Sequence, residues 1–97
     1  MDSRIKRIAD NYGSRHQLAK AKEELLECIE AIEELEQWID EGRDRAELAD
    51  LVEHLAEESA DVGIMLDQLA YLTRTENERE KMRDFKLQRQ ILRILEE

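Results

Sequence analysis

Leu18, Ala21, Leu25, Cys28, Ile32, Leu35 and Ile39 follow one another at alternating intervals of three and four residues. That interval keeps side chains on one face of an α-helix and has no counterpart in the two-residue alternation of a strand. The chain holds no proline and only three glycines, so nothing interrupts the pattern before Gly42. A second run, Leu51, Leu55, Glu58, Val62, Met65, Leu69 and Leu72, keeps the same spacing with a glutamate at one inward step. Two long amphipathic helices that meet at a break at Gly42–Arg43 bury their stripes against each other and against neighbours. The expected fold is all-α, a helical bundle built on a long antiparallel helical hairpin. At 97 residues the chain is a single domain, 1–97, and so small a domain buries limited apolar surface. Oligomerisation, as a homodimer or homotetramer, is therefore expected to complete the bundle.

Helix signals divide the rest of the chain. Residues 3–12 suit a short helix carrying Ile5, Ile8 and Tyr12, ended by Gly13. Ser14 with Gln17 forms a capping box for the first long helix, Asp44 with Glu47 one for the second, and Thr75 with Glu78 one for the last. Charged residues make up 41% of the chain and the net charge is −10. So acidic a surface argues against nucleic acid as a ligand, because phosphate backbones need a basic face. No apolar run approaches the roughly 20 residues of a membrane span, and no signal peptide opens the chain. The lone Cys28 forms no internal disulfide and fits a reducing, cytoplasmic setting.

Most of the 25 acidic residues need no function. Glu23, Glu30, Glu34, Glu41 and Glu53 suit solvated faces. Glu24, Glu27, Glu58 and Asp61 differ in arrangement. They form two pairs three residues apart, placed symmetrically about the break. An antiparallel hairpin turning there brings Glu24 level with Asp61 and Glu27 with Glu58. Four carboxylates within about one turn repel unless a cation sits among them. Glu58, in the apolar seam, needs a partner, a proton or a metal. Ligands that are all oxygen favour a hard ion, Mg²⁺ before Mn²⁺.

The last helix carries Arg79, Lys81, Arg83, Lys86, Arg89 and Arg93, six of the chain's fifteen basic residues. Two readings stand: ion pairing with nearby acids, or a basic wall that grips phosphates. Trp38 lies about 21 Å along the helix from Glu24, which favours packing over base stacking. His16 and His54 fit no E-x-x-H pattern, so a di-iron site is not expected, and both suit surface or polar-edge positions.

These residues resemble those of the all-α nucleoside triphosphate pyrophosphohydrolases, the MazG-like superfamily. Its E-E-x-x-E motif reads Glu23-Glu24-Leu25-Leu26-Glu27 here, and its E-x-x-D motif reads Glu58-Ser59-Ala60-Asp61. The likeness runs through "HQLAKAKEELLE", "EESADVGIMLDQL" and "KLQR", and is closest to short, single-domain members. The resemblance implies Mg²⁺ held by Glu24, Glu27, Glu58 and Asp61, which would also form the catalytic set. It implies cleavage of a (d)NTP between the α- and β-phosphates to (d)NMP and pyrophosphate. Lys86 and Arg89 match the family's late basic positions and would contact phosphate. Gln17 and Lys20 match positions ahead of the first motif that line the substrate pocket, and for Gln17 the capping role stands beside this one. Two alternatives remain. A phosphoribosyl-ATP pyrophosphohydrolase shares the fold and the acids, although this chain lacks a glycine-flanked serine/tyrosine run before the first motif. A non-enzymatic acidic helical interaction module would turn the acids to solvent or to a basic partner, which leaves the seam position of Glu58 without a reason.

Overall fold

The computed structural model describes residues 1–42 and 44–97. Arg43, half of the expected break, lies outside the described residues. The chain forms α1 (Ser3–Glu41), α2 (Arg45–Thr73) and α3 (Glu76–Glu96), and no strand occurs among the described residues. The first two helices start on aspartate caps, as orphan amide groups at a helix start require. Asp2 accepts from the amide of Arg4 at 2.9 Å and Asp44 from that of Ala46 at 3.3 Å. Thr75 precedes α3 without a side-chain cap; its hydroxyl instead meets that of Thr73 at 2.8 Å.

The expected short first helix is joined to the long one. Gly13, at φ 82° and ψ 170°, forms a kink inside α1. Only glycine adopts that conformation without strain, so the segment bends here instead of ending. Gly42 closes α1 in the left-handed region, with its amide bonded to the carbonyl of Trp38. Trp38, half-buried, donates its indole N–H to the carbonyl of Asp44 at 3.0 Å. The tryptophan thus ties the end of α1 to the start of α2.

α1 lies along α2, and their pairings run in opposite senses along the chain. Tyr71 donates to the Asp10 carboxylate at 2.9 Å, Gln17 to Gln68 at 2.7 Å, and His54 Nδ1 sits 3.2 Å from Glu34. The face that α1 turns to α2 differs from the apolar seam read in the sequence. Gln17, Ala21, Glu24 and Ala31 are buried there, with Cys28, Leu35 and Trp38 half-buried. Leu18, Leu25, Ile32 and Ile39 of the expected seam remain exposed. The small side chains of Ala21 and Ala31 sit centrally and let the backbones approach, which rotates the larger residues to the flank.

The resulting core is thin. Its apolar members are Ile5, Ala9, Ala21, Ala31, Met65 and Ala70, four of them alanines. α3 contributes no buried residue; it contacts α2 but not α1. An ion pair of 2.7 Å between Arg79 and Asp67 anchors its first turn. The radius of gyration is 16.9 Å, against about 13 Å for a compact domain of this length. No helix is long and apolar enough to cross a membrane among the described residues.

Candidate metal centre

The α1–α2 pairing builds an acidic cluster midway along both helices. Gln17 opposite Gln68 sets the register, and seven to ten residues further along α1 Glu24 and Glu27 come beside Glu58. One carboxylate oxygen from each of Glu24, Glu27 and Glu58 lies within 4.8 Å of the other two. Glu24 is buried, Glu58 half-buried and Glu27 exposed at the open edge. Asp61, one turn after Glu58, is exposed and outside this group. The three-residue step leaves it about 60° around α2 from Glu58.

Each enclosed glutamate has one oxygen engaged and one without a partner. Glu24 Oε1 is 3.2 Å from Lys20 Nζ, and Glu58 Oε1 is 3.4 Å from His54 Nε2. Glu24 Oε2 and Glu58 Oε2 are buried and have no hydrogen-bond partner. A buried carboxylate oxygen with no partner carries a desolvation cost of several kcal/mol. The negative charge of Glu24, then desolvation and the charge of Glu58, push the Glu27 carboxyl above its ordinary range. A divalent cation among the three carboxylates would answer all of these observations together. The donor set is all oxygen, it carries three negative charges, and its open side leaves room for the waters that Mg²⁺ retains. Zinc sites favour nitrogen and sulfur donors, and neither is part of this cluster. The residues therefore fit a hard divalent ion.

A groove of about 690 Å³ adjoins the cluster, lined by Tyr12, His16, Gln17, Lys20, Met65 and Gln68 among others. Tyr12 and His16 stack with centroids 4.7 Å apart. Gln17 does not cap α1. Its amide donates to Gln68, and its carbonyl oxygen meets His16 Nδ1 at 2.6 Å. Lys20 bridges groove and cluster, lying 3.6 Å from Glu23 as well as beside Glu24. Lys86 and Arg89 are exposed on α3, away from contact with α1. Arg89 rests over the Phe85 ring at 5.8 Å.

His54, expected at a surface or polar edge, is half-buried beside the cluster, and Tyr12 and Gln68 line the groove without having been expected to. His54 stands four residues before Glu58, a spacing that places both on one helix face. It links Glu58 to Glu34, whose hydrogen bond is the main cause raising the His54 pKa above its ordinary value. Glu34 is thus a partner of the cluster's neighbour as well as a half-solvated side chain. Gln68 had no sequence signal beyond its position in register with Gln17. Comparison with protein-family models, with curated proteins and with solved structures finds no match to this chain.

Proposed function

We propose that this chain is a Mg²⁺-dependent nucleoside triphosphate pyrophosphohydrolase, acting as a homodimer or homotetramer. The observation that carries the metal is the pair of partnerless buried oxygens on Glu24 and Glu58, inside a cluster of three carboxylates. The resemblance of the two acidic motifs to the MazG-like superfamily carries the substrate. In this reading Glu24, Glu27 and Glu58 hold the ion, and Asp61 turns inward to join them from the next turn of α2. Held there, Mg²⁺ would neutralise charge on the substrate's phosphates and orient them.

The chain's own residues then have separate tasks. One of the acids, one not fully engaged by the ion, would accept the proton of the attacking water. Lys20 is held by Glu23 and Glu24 at the mouth of the groove and can exchange that contact for a phosphate oxygen. The groove takes the nucleoside, with the Tyr12–His16 stack as an aromatic wall and the Gln17–Gln68 amides as hydrogen-bonding groups. Gln17 lies about 10 Å along α1 from Glu24, the scale of an extended nucleotide. The resemblance assigns the cationic contacts to the departing pyrophosphate to Lys86 and Arg89, although α3 carries both away from its own α1.

A panel of (d)NTPs incubated with Mg²⁺ and then with a chelator tests the proposal, with pyrophosphate and orthophosphate measured separately. Pyrophosphate release that needs Mg²⁺ and disappears in Glu24→Gln is expected. Absence of turnover across the panel, or turnover untouched by that substitution, would overturn it.

A further inference from the structure

His54 stands one turn before Glu58 on α2, and its imidazole has a carboxylate at each nitrogen. Nδ1 lies 3.2 Å from Glu34 Oε2 on α1, and Nε2 lies 3.4 Å from Glu58 Oε1. Glu34 follows Glu27 by seven residues, two turns along the same side of α1. Ala31, 1% exposed between them, lets α2 come close enough for the ring to span the gap. Three side chains thus form a row. It begins half in solvent at Glu34, whose side chain is 49% exposed, and ends in the cluster at Glu58, whose side chain is 14% exposed. The contact with His54 takes up one Glu58 oxygen, and the other, Oε2, is buried without a partner. A glutamate has three side-chain torsions, and fixing them when an ion binds costs conformational entropy. A ring pinned by Glu34 removes part of that freedom on folding, before any ion arrives.

We propose that His54 is a positioning residue of the metal centre: pinned by Glu34, it holds Glu58 Oε1 and leaves Glu58 Oε2 as the oxygen presented to the ion. The proposal rests on the metal reading given above and needs neither the nucleotide nor its cleavage. Two effects of the ring oppose each other. A ring that donates to both carboxylates is an imidazolium, and its positive charge disfavours a second cation nearby. Glu34 offsets that charge, which leaves the orientation of Glu58 as the larger effect. Partners that orient metal ligands in this way change metal affinity by about ten- to a hundredfold when they are removed. The direction of the change separates the two roles. If His54 acted only as a local charge, its removal would tighten Mg²⁺ binding, whereas loss of a positioning contact weakens it.

Calorimetric titration of the metal-free full chain with magnesium chloride, in the absence of nucleotide, tests the proposal. His54→Gln places an amide nitrogen as many bonds from Cα as Nε2 and so keeps a donor for Glu58. His54→Asn places one as many bonds out as Nδ1 and so keeps only the contact with Glu34. Both substitutions remove the same charge, so a difference between them reports the Glu58 contact alone. Mg²⁺ affinity close to that of the wild type is expected for His54→Gln, and a loss of about ten- to a hundredfold for His54→Asn. Glu34→Ala should weaken binding in the wild-type chain and add little in the His54→Asn background, where the ring it pins is gone. Circular dichroism checks that each variant keeps its helix content. Glu34 is exposed and alanine favours helix, so this variant keeps the test decisive where a His54 variant fails to fold, and an unchanged Kd there would overturn the proposal. Equal Kd values for His54→Gln and His54→Asn, or binding by His54→Asn as tight as by the wild type, would overturn it while leaving the metal centre standing. Absence of saturable Mg²⁺ binding by the wild type would overturn both.

Discussion

Glu58→Gln separates the energetic role of this glutamate from its proposed role as a ligand. In the metal-free protein Glu24 and Glu58 hold carboxylate oxygens no more than 4.8 Å apart, with side chains 11% and 14% exposed. Two unit charges at that distance repel by about 1 kcal/mol in water and about 3.5 kcal/mol at an effective dielectric constant of 20. The amide is nearly isosteric, removes the charge and can donate to the partnerless Glu24 Oε2. The variant should therefore be more stable than the wild type without metal, by about 1–3 kcal/mol, which corresponds to a rise of several degrees in Tm. Mg²⁺ should close or reverse this gap. At a hundred times its Kd, an ion bound only by the folded state adds about 2.7 kcal/mol, and the variant should lose most of that gain. Thermal unfolding across a Mg²⁺ titration, at constant ionic strength and protein concentration, measures both effects. A metal-free variant less stable than wild type, or one that Mg²⁺ stabilises to the wild-type extent, would refute the reasoning.

Other expectations concern single side chains with a proposed role or a partner of their own. Lys86→Ala and Arg89→Ala should each lower kcat/KM about ten- to a hundredfold through loss of a charge-assisted contact of roughly 1.5–3 kcal/mol; Mg²⁺ binding without nucleotide, read by calorimetry, should barely change. Gln68→Leu leaves the buried Gln17 amide without its 2.7 Å partner and should cost about 1–3 kcal/mol in chemical denaturation. Glu27 has a folded pKa above its ordinary value of 4.5, so its folded state binds the proton more readily. The metal-free protein should thus be favoured below that value and lose this contribution as pH rises through the elevated pKa. Mg²⁺ competes with the same proton, so its affinity, followed by titration at several pH values, should strengthen as pH rises through that window.

The all-α class was legible because the 3-4 spacing runs unbroken through a chain without proline, and only a helix rewards it. The aspartate cap at Asp44 and the left-handed Gly42 were readable for the same local reasons. Which face of α1 meets α2 was not. Ala21 and Ala31 decide it by allowing close approach, whereas a hydrophobicity pattern ranks Leu18, Leu25 and Ile32 above them. The three glutamates that meet were legible from their mirrored placement about the break, since register is arithmetic once two helices are assumed to lie side by side. Lys20 beside Glu24 follows from the i, i+4 interval. The bonds from His54 to Glu34 and Glu58, and the pairing of Gln17 with Gln68, depend on rotamers and on the rotation of one helix about its axis. Neither leaves a trace in spacing alone. The separation of α3 from α1 was also hidden, because an amphipathic helix has the same sequence whether its neighbour belongs to its own chain or to another.

³¹P NMR of the products shows directly which bond of a triphosphate is cut. A (d)NTP turned over with Mg²⁺ by the wild-type protein should give nucleoside monophosphate and pyrophosphate in equal amounts, with neither formed when a chelator is present. Nucleoside diphosphate and orthophosphate, or an unchanged triphosphate spectrum for every nucleotide tried, would contradict the proposed cleavage.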